Sequence, residues 1–144
     1  MSRQLEEKEE RILKILKSLS EESANGTPII VEGKKDVETL RTLGVAGIIL
    51  SAKTGGKSFL DITTEIEQMR VSEVIFFLDF DRRGRRGTKC LKQLLEHAKI
   101  KPNITFWLDL KATVRKDIPC IEGLVTYLST LRKKIRTFSN QDPH

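Results

Sequence analysis

The sequence predicts an α/β protein: a Rossmann-like, doubly wound sheet of about four parallel strands, with one helix ahead of it and one behind. Three observations carry that expectation. Short apolar runs alternate with helix-like stretches of ten or more residues, which is the pattern of βαβ units. One run, Val74–Leu78, is apolar at every position, as a central parallel strand covered on both faces must be. The 144 residues, 38% hydrophobic and 32% charged, suit one soluble domain with one core.

The elements follow in order. From about residue 3 to 22 the chain reads as an amphipathic helix, with Leu5, Ile12, Leu16 and Leu19 on one face. That stripe is expected to pack on the domain's flank or on a second copy, so a homodimer through this helix is open. Ser23-Ala24-Asn25-Gly26 stops the helix and Pro28 marks its exit. Ile29-Ile30-Val31 is a short buried strand, followed by Glu32-Gly33-Lys34-Lys35-Asp36 and a helix to about Leu43. Ala46–Leu50 reads as the second strand and Phe59–Met69 as the next helix. After the central strand, Asp79-Phe80-Asp81-Arg82-Arg83-Gly84 leads into a helix from about Arg85 to Ala98. Asn103–Leu108 is expected as the fourth strand, with Trp107 in its core, and Ile121–Ile135 as the last helix. The expected organisation is therefore an N-terminal helix and linker over 1–26, a domain with its C-terminal helix over 27–138, and a disordered tail over 139–144.

Charge and cysteine content narrow the functional classes. A formal net charge of +6 and a pI near 9.4 favour polyanionic partners, though only mildly at this size. Cys90 and Cys120 stand 30 residues apart with no CxxC or Cys/His cluster, as in a reduced cytosolic protein. The N-terminus is charged where a signal peptide would turn apolar, and no apolar run is long enough to span a bilayer. The expected location is cytoplasmic.

In a doubly wound sheet, ligands bind beyond the carboxyl ends of the strands, where strand order reverses. Glu32 ends the first strand and Asp79 and Asp81 end the third, so a 2-1-3-4 order would bring the three carboxylates together. Three hard oxygen ligands suit Mg²⁺, one or two ions, with Mn²⁺ as a substitute. The competing reading is that Asp81 caps the following helix and Asp79 is a solvated strand end. Cations gather at the same edge: Lys34 and Lys35, Lys53 and Lys57, and Arg82, Arg83, Arg85 and Arg86. Lys34, Lys53, Lys57, Arg82, Arg83 and Arg85 are the candidates to hold substrate phosphates beside the metal.

Val31-Glu32-Gly33-Lys34-Lys35-Asp36 followed by Leu78-Asp79-Phe80-Asp81-Arg82-Arg83-Gly84 resembles the Toprim signature, over about Thr27 to Leu108. That family includes topoisomerases, bacterial-type primases, old-family nucleases and the ribonuclease that matures 5S ribosomal RNA. Each motif is short, but both in order, at strand ends and about 45 residues apart, are specific. The small stand-alone archaeal-type members and the 5S-maturing ribonuclease are the most similar. The resemblance implies a Toprim fold, with Glu32 as metal ligand and general acid/base, and Asp79 and Asp81 as Mg²⁺ ligands. Some members carry a third Asp where this chain has Arg83. Glu122 could supply a late carboxylate, against the alternative of a cap or an exposed surface residue.

Other motifs mislead. Thr54-Gly55-Gly56-Lys57-Ser58 resembles a P-loop, but the motif's first glycine falls at Ser51. Tyr127 reads as a packing residue of a terminal helix, and His97 and His144 are badly placed for catalysis. Two functions result. The first is a Mg²⁺-dependent phosphodiesterase, a small nuclease of RNA-processing type, with RNA favoured over DNA. The alternative is a non-catalytic nucleic-acid-binding or assembly module that keeps the fold; primase activity ranks below both.

Overall fold

The computed structural model describes residues 2–141 except 54, 55, 57, 79–81, 115, 116 and 119. Its elements run α1 (Ser2–Ala24), β1 (Ile29–Val31), α2 (Lys34–Thr42), β2 (Ile49–Ser51), α3 (Phe59–Gln68), β3 (Glu73–Phe76), α4 (Arg82–His97), β4 (Lys101–Asn103), α5 (Thr105–Val114), a 3₁₀ turn (Ile121–Gly123) and α6 (Leu124–Gln141). The four strands form one parallel sheet in the order β2-β1-β3-β4, as expected for a doubly wound α/β fold.

Alternation along the strands divides the core in two. Ile29, Val31, Ile75 and Phe77 point to the face covered by α1, α2, α5 and α6. Ile30, Val74, Phe76 and Leu78 point to the face covered by α3 and α4. The α1 stripe is spent within the chain: Ile12, Leu16 and Leu19 are buried in the first of these cores, and Leu5 packs at its margin. Arg132 Nε of α6 binds Glu9 Oε2 of α1 at 3.0 Å, pinning the two helices side by side.

Local signals set the ends of the helices. Ser58 Oγ accepts the Asp61 N–H at 3.1 Å while Asp61 Oδ2 accepts the Ser58 N–H at 3.0 Å, a reciprocal cap that starts α3. Between α2 and β2 the chain turns at Gly47, with φ +93°, so tightly that a Cβ there would lie 2.6 Å from the Ser23 carbonyl oxygen. Only glycine fits both demands.

Several boundaries differ from expectation; α4, for one, begins at Arg82 and not near Arg85. β2 begins at Ile49, because the turn through Gly47 occupies the start of the predicted strand. The fourth strand is not Asn103–Leu108 but Lys101–Asn103, and Thr105–Val114 is a helix. Asn103 Oδ1 accepts the Thr105 N–H at 2.9 Å and so opens α5 where a strand was expected to continue. Trp107 therefore lies in a helix, although it is buried, and Lys111 Nζ sits 4.7 Å from the centre of its ring. α6 extends to Gln141, three residues into the segment expected as a disordered tail; residues 142–144 lie outside the described ones. No described helix is long and apolar enough to cross a membrane.

Candidate functional site at the carboxyl edge of the sheet

The β1–β3 junction is where strand order reverses, since β2 lies on one side of β1 and β3 and β4 on the other. Glu32 follows β1 directly at that junction. Its side chain is only 11% exposed, and its Oε1 lies 2.7 Å from Lys53 Nζ. The backbones are paired as well: Lys53 N–H donates to the Glu32 carbonyl oxygen at 3.0 Å, two residues past the end of β2. Lys53, expected as a phosphate ligand, is thus placed on the carboxylate itself. On the other flank, Phe77 N–H donates to the Ile30 carbonyl oxygen at 2.8 Å, which carries the β1–β3 pairing beyond Phe76.

Asp79, Asp81 and Lys57 lie outside the described residues. Arg82, Arg83 and Arg85 belong to the first turn of α4 by their backbone. Lys34 is exposed at the start of α2. Among the described residues, no group of three His, Cys, Asp or Glu side chains is arranged to hold a metal. The donor chemistry of Glu32 nonetheless suits a hard divalent cation, because it is a carboxylate that already accepts a positive charge at bonding distance.

Asp36 is the residue to which sequence reasoning gave no role. It is buried, and its Oδ2 accepts the Gly33 N–H at 3.0 Å, so it fixes the turn that carries Glu32 into α2. Burial pushes its carboxyl above the ordinary range; the Gly33 N–H opposes this, and the charges of Glu122 and Glu32 reinforce it. The signal was legible as an acid three residues past Gly33, at the position where a helix's first turn can be capped. Glu122 is exposed, and the 3₁₀ turn brings it 3.9 Å from Lys35 Nζ at the same end of α2. The edge around Glu32 thus gathers Asp36 and Glu122 with Lys35 and Lys53.

A Toprim domain model matches residues 27–106, the span that contains Glu32, Lys53, Asp79 and Asp81. Helices α1 and α6 lie outside that span. A UPF0292 protein of Methanocaldococcus jannaschii is 40% identical over 121 residues, which cover 83% of this chain and 91% of that protein. A UPF0292 protein of Methanosarcina barkeri is 35% identical over 133 residues, covering 92% and 91% respectively. Among solved structures, a putative protein from Aquifex aeolicus aligns with a TM-score of 0.64 at 27% identity, over 76% of this chain and 94% of that one.

Proposed function

The chain belongs to the Toprim family and is a relative of the small archaeal UPF0292 proteins, and from that premise we propose that it is a Mg²⁺-dependent phosphodiesterase acting on nucleic acid. The observation that supports this most is the position of Glu32: a nearly buried carboxylate at the carboxyl end of β1, at the reversal point of the sheet, beside a cation. Toprim domains generally bind Mg²⁺. Here Glu32, Asp79 and Asp81 would hold it, and Mn²⁺ would serve in its place. Bound Mg²⁺ supplies neutralisation of the charge that builds on the phosphoryl oxygens.

The remaining roles fall to the chain's own groups. Glu32 holds or takes the proton of the attacking water, and Asp36 keeps its backbone in place through the Gly33 N–H. Lys34, Lys53, Lys57, Arg82, Arg83 and Arg85 bind the phosphates of the strand, each contact steepening the salt dependence of affinity by about one unit of slope. RNA is placed before DNA because the two motifs resemble those of the 5S-maturing ribonuclease. The protein would work in the cytoplasm. A homodimer through α1 would have to use the outer face of that helix, where Leu13 is 39% exposed, because the inner stripe is taken.

The test is incubation of the purified protein with labelled structured RNA and with DNA of the same sequence, in Mg²⁺ and in EDTA. Cleavage of RNA in Mg²⁺ that stops in EDTA is the expected result. Tight binding of both nucleic acids with no cleavage under any condition would replace the enzyme with a binding module.

A further inference from the structure

We propose that Lys53 is a built-in counter-ion of Glu32 which a divalent cation displaces, so that metal binding frees Lys53 for a substrate phosphate. The inference rests on the reading of Glu32 as a metal ligand. It starts from the 2.7 Å approach of Lys53 Nζ to Glu32 Oε1, between side chains 48% and 11% exposed. A carboxylate removed that far from water needs a countercharge, and here a neighbouring strand delivers one.

The backbone keeps the supplier in place while leaving its side chain movable. Ala52 N–H donates to the Val31 carbonyl oxygen at 2.9 Å and Lys53 N–H to that of Glu32 at 3.0 Å, so the Cα of Lys53 stays beside β1 whatever its ammonium does. A lysine is suited to leave. Its charge is a compact ammonium on a flexible four-carbon stem, without the planar fork that would fix an arginine to the carboxylate. Half of the side chain already meets solvent.

Two positive charges do not share one carboxylate without cost. A divalent cation arriving at Glu32 would face the ammonium at contact distance, and repulsion between like charges drives the lysine off. Three consequences follow for a protein built this way. The metal-free state keeps Glu32 compensated and the sheet edge intact. Metal affinity is lower than the carboxylates alone would give, because the metal competes with a tethered cation. The released ammonium stays within its stem's length of Glu32, where a phosphate held beside the metal would meet it. Metal and phosphate then bind with positive coupling, which by linkage must act in both directions.

The deciding experiment is calorimetric titration of Mg²⁺ and of Mn²⁺ into the wild type, Lys53→Met and Glu32→Gln, without nucleic acid, alongside melting curves. Methionine keeps the apolar stem and removes the charge; Lys53→Gln serves if that variant does not fold. Loss of the competitor should tighten metal binding roughly three- to tenfold. The metal-free variant should melt below the wild type, and saturating Mg²⁺ should narrow that gap. Binding by the wild type that is equal or weaker in the lysine variant overturns the inference and leaves the metal site standing. Absence of binding in both overturns the metal reading and this inference together. Unchanged binding in Glu32→Gln removes Glu32 as the contested carboxylate and overturns the inference as well.

Discussion

The hydroxyl of Tyr127 donates a 2.7 Å hydrogen bond to Oδ2 of Asp117. The same oxygen receives Lys8 Nζ at 2.9 Å, from 109 residues away in the chain, and the ammonium also lies 6.0 Å from the centre of the tyrosine ring. One carboxylate thereby ties α1, α6 and the turn that follows α5. Lys8 first, and Tyr127 second, hold the Asp117 carboxyl below its ordinary range. Asp117 in turn raises the Lys8 amine, while burial, and then the bond to Asp117, raises the Tyr127 phenol.

The sign of the Asp117 effect fixes a pH window. A carboxyl whose folded pKa is depressed contributes stability above its unfolded value, near 3.8, and loses it as pH falls through the lower folded value. Asp117→Asn should therefore be less stable than the wild type at neutral pH by about 0.5–1 kcal/mol, after allowing for solvent screening of a half-exposed group. Urea unfolding at pH 7 and at successively lower pH below 3.8 checks this, since the gap should shrink as the carboxylate is protonated. An equal gap at every pH would show that the carboxylate's charge plays no part.

Helix α1 is part of the main core, not an appendage. Ile12 and Leu19 are fully buried and Leu16 nearly so. Truncating one such side chain to alanine costs about 2–5 kcal/mol, against a total stability of about 5–15 kcal/mol for a typical domain. Deleting residues 1–22 should abolish cooperative thermal unfolding, and Leu19→Ala alone should lower the melting temperature by several degrees. A truncated chain that melts sharply at the wild-type temperature would show α1 to be an independent arm.

Asp36 behaves oppositely to Asp117. Its folded pKa is raised, chiefly by burial, so the native state holds the proton more tightly than the unfolded chain does. The stability it contributes is fully present below about pH 3.8 and is lost as pH rises through the folded value. Asp36→Asn retains an oxygen for the Gly33 N–H without the charge, and should be more stable than the wild type at pH 7. The gain should shrink as the pH approaches 4. Asp36→Ala, which loses the cap, should instead fall by about 1 kcal/mol. Thermal melts of the three proteins across that range check both signs; an Asn variant weaker than wild type at pH 7 contradicts the assignment.

Strand order and the layering of helices were legible because Ile29-Ile30-Val31 and Val74–Leu78 are apolar on both faces, a pattern that few structures other than a central parallel strand require. The edges were not. Lys101-Pro102-Asn103 pairs with β3 on one side only, so a lysine and a proline are tolerated and the hydrophobic signal disappears. The apolar cluster Ile104, Phe106, Trp107 and Leu108 imitates a strand in its composition. Its spacing was helical, with Trp107, Leu110 and Val114 buried in register. At the site, Glu32 could be placed from its position after a strand. Its contact with Lys53 could not, because that depends on the β1–β2 register, which the turn at Gly47 shifts from the expected boundary. The link from Asp117 to Lys8 spans nearly the whole chain, and no local pattern announces it.

The role proposed for Glu32 is in metal-dependent cleavage of a nucleic-acid phosphodiester. The most direct measurement compares wild type and Glu32→Gln for both the rate of cleavage and the affinity for one labelled RNA, at fixed Mg²⁺ and salt. A group that acts mainly in the transition state lowers the rate far more than the affinity. With that role, at least about a hundredfold loss of cleavage is expected, with affinity within about threefold of wild type. Wild-type cleavage by Glu32→Gln, in preparations free of contaminating nuclease, would contradict it.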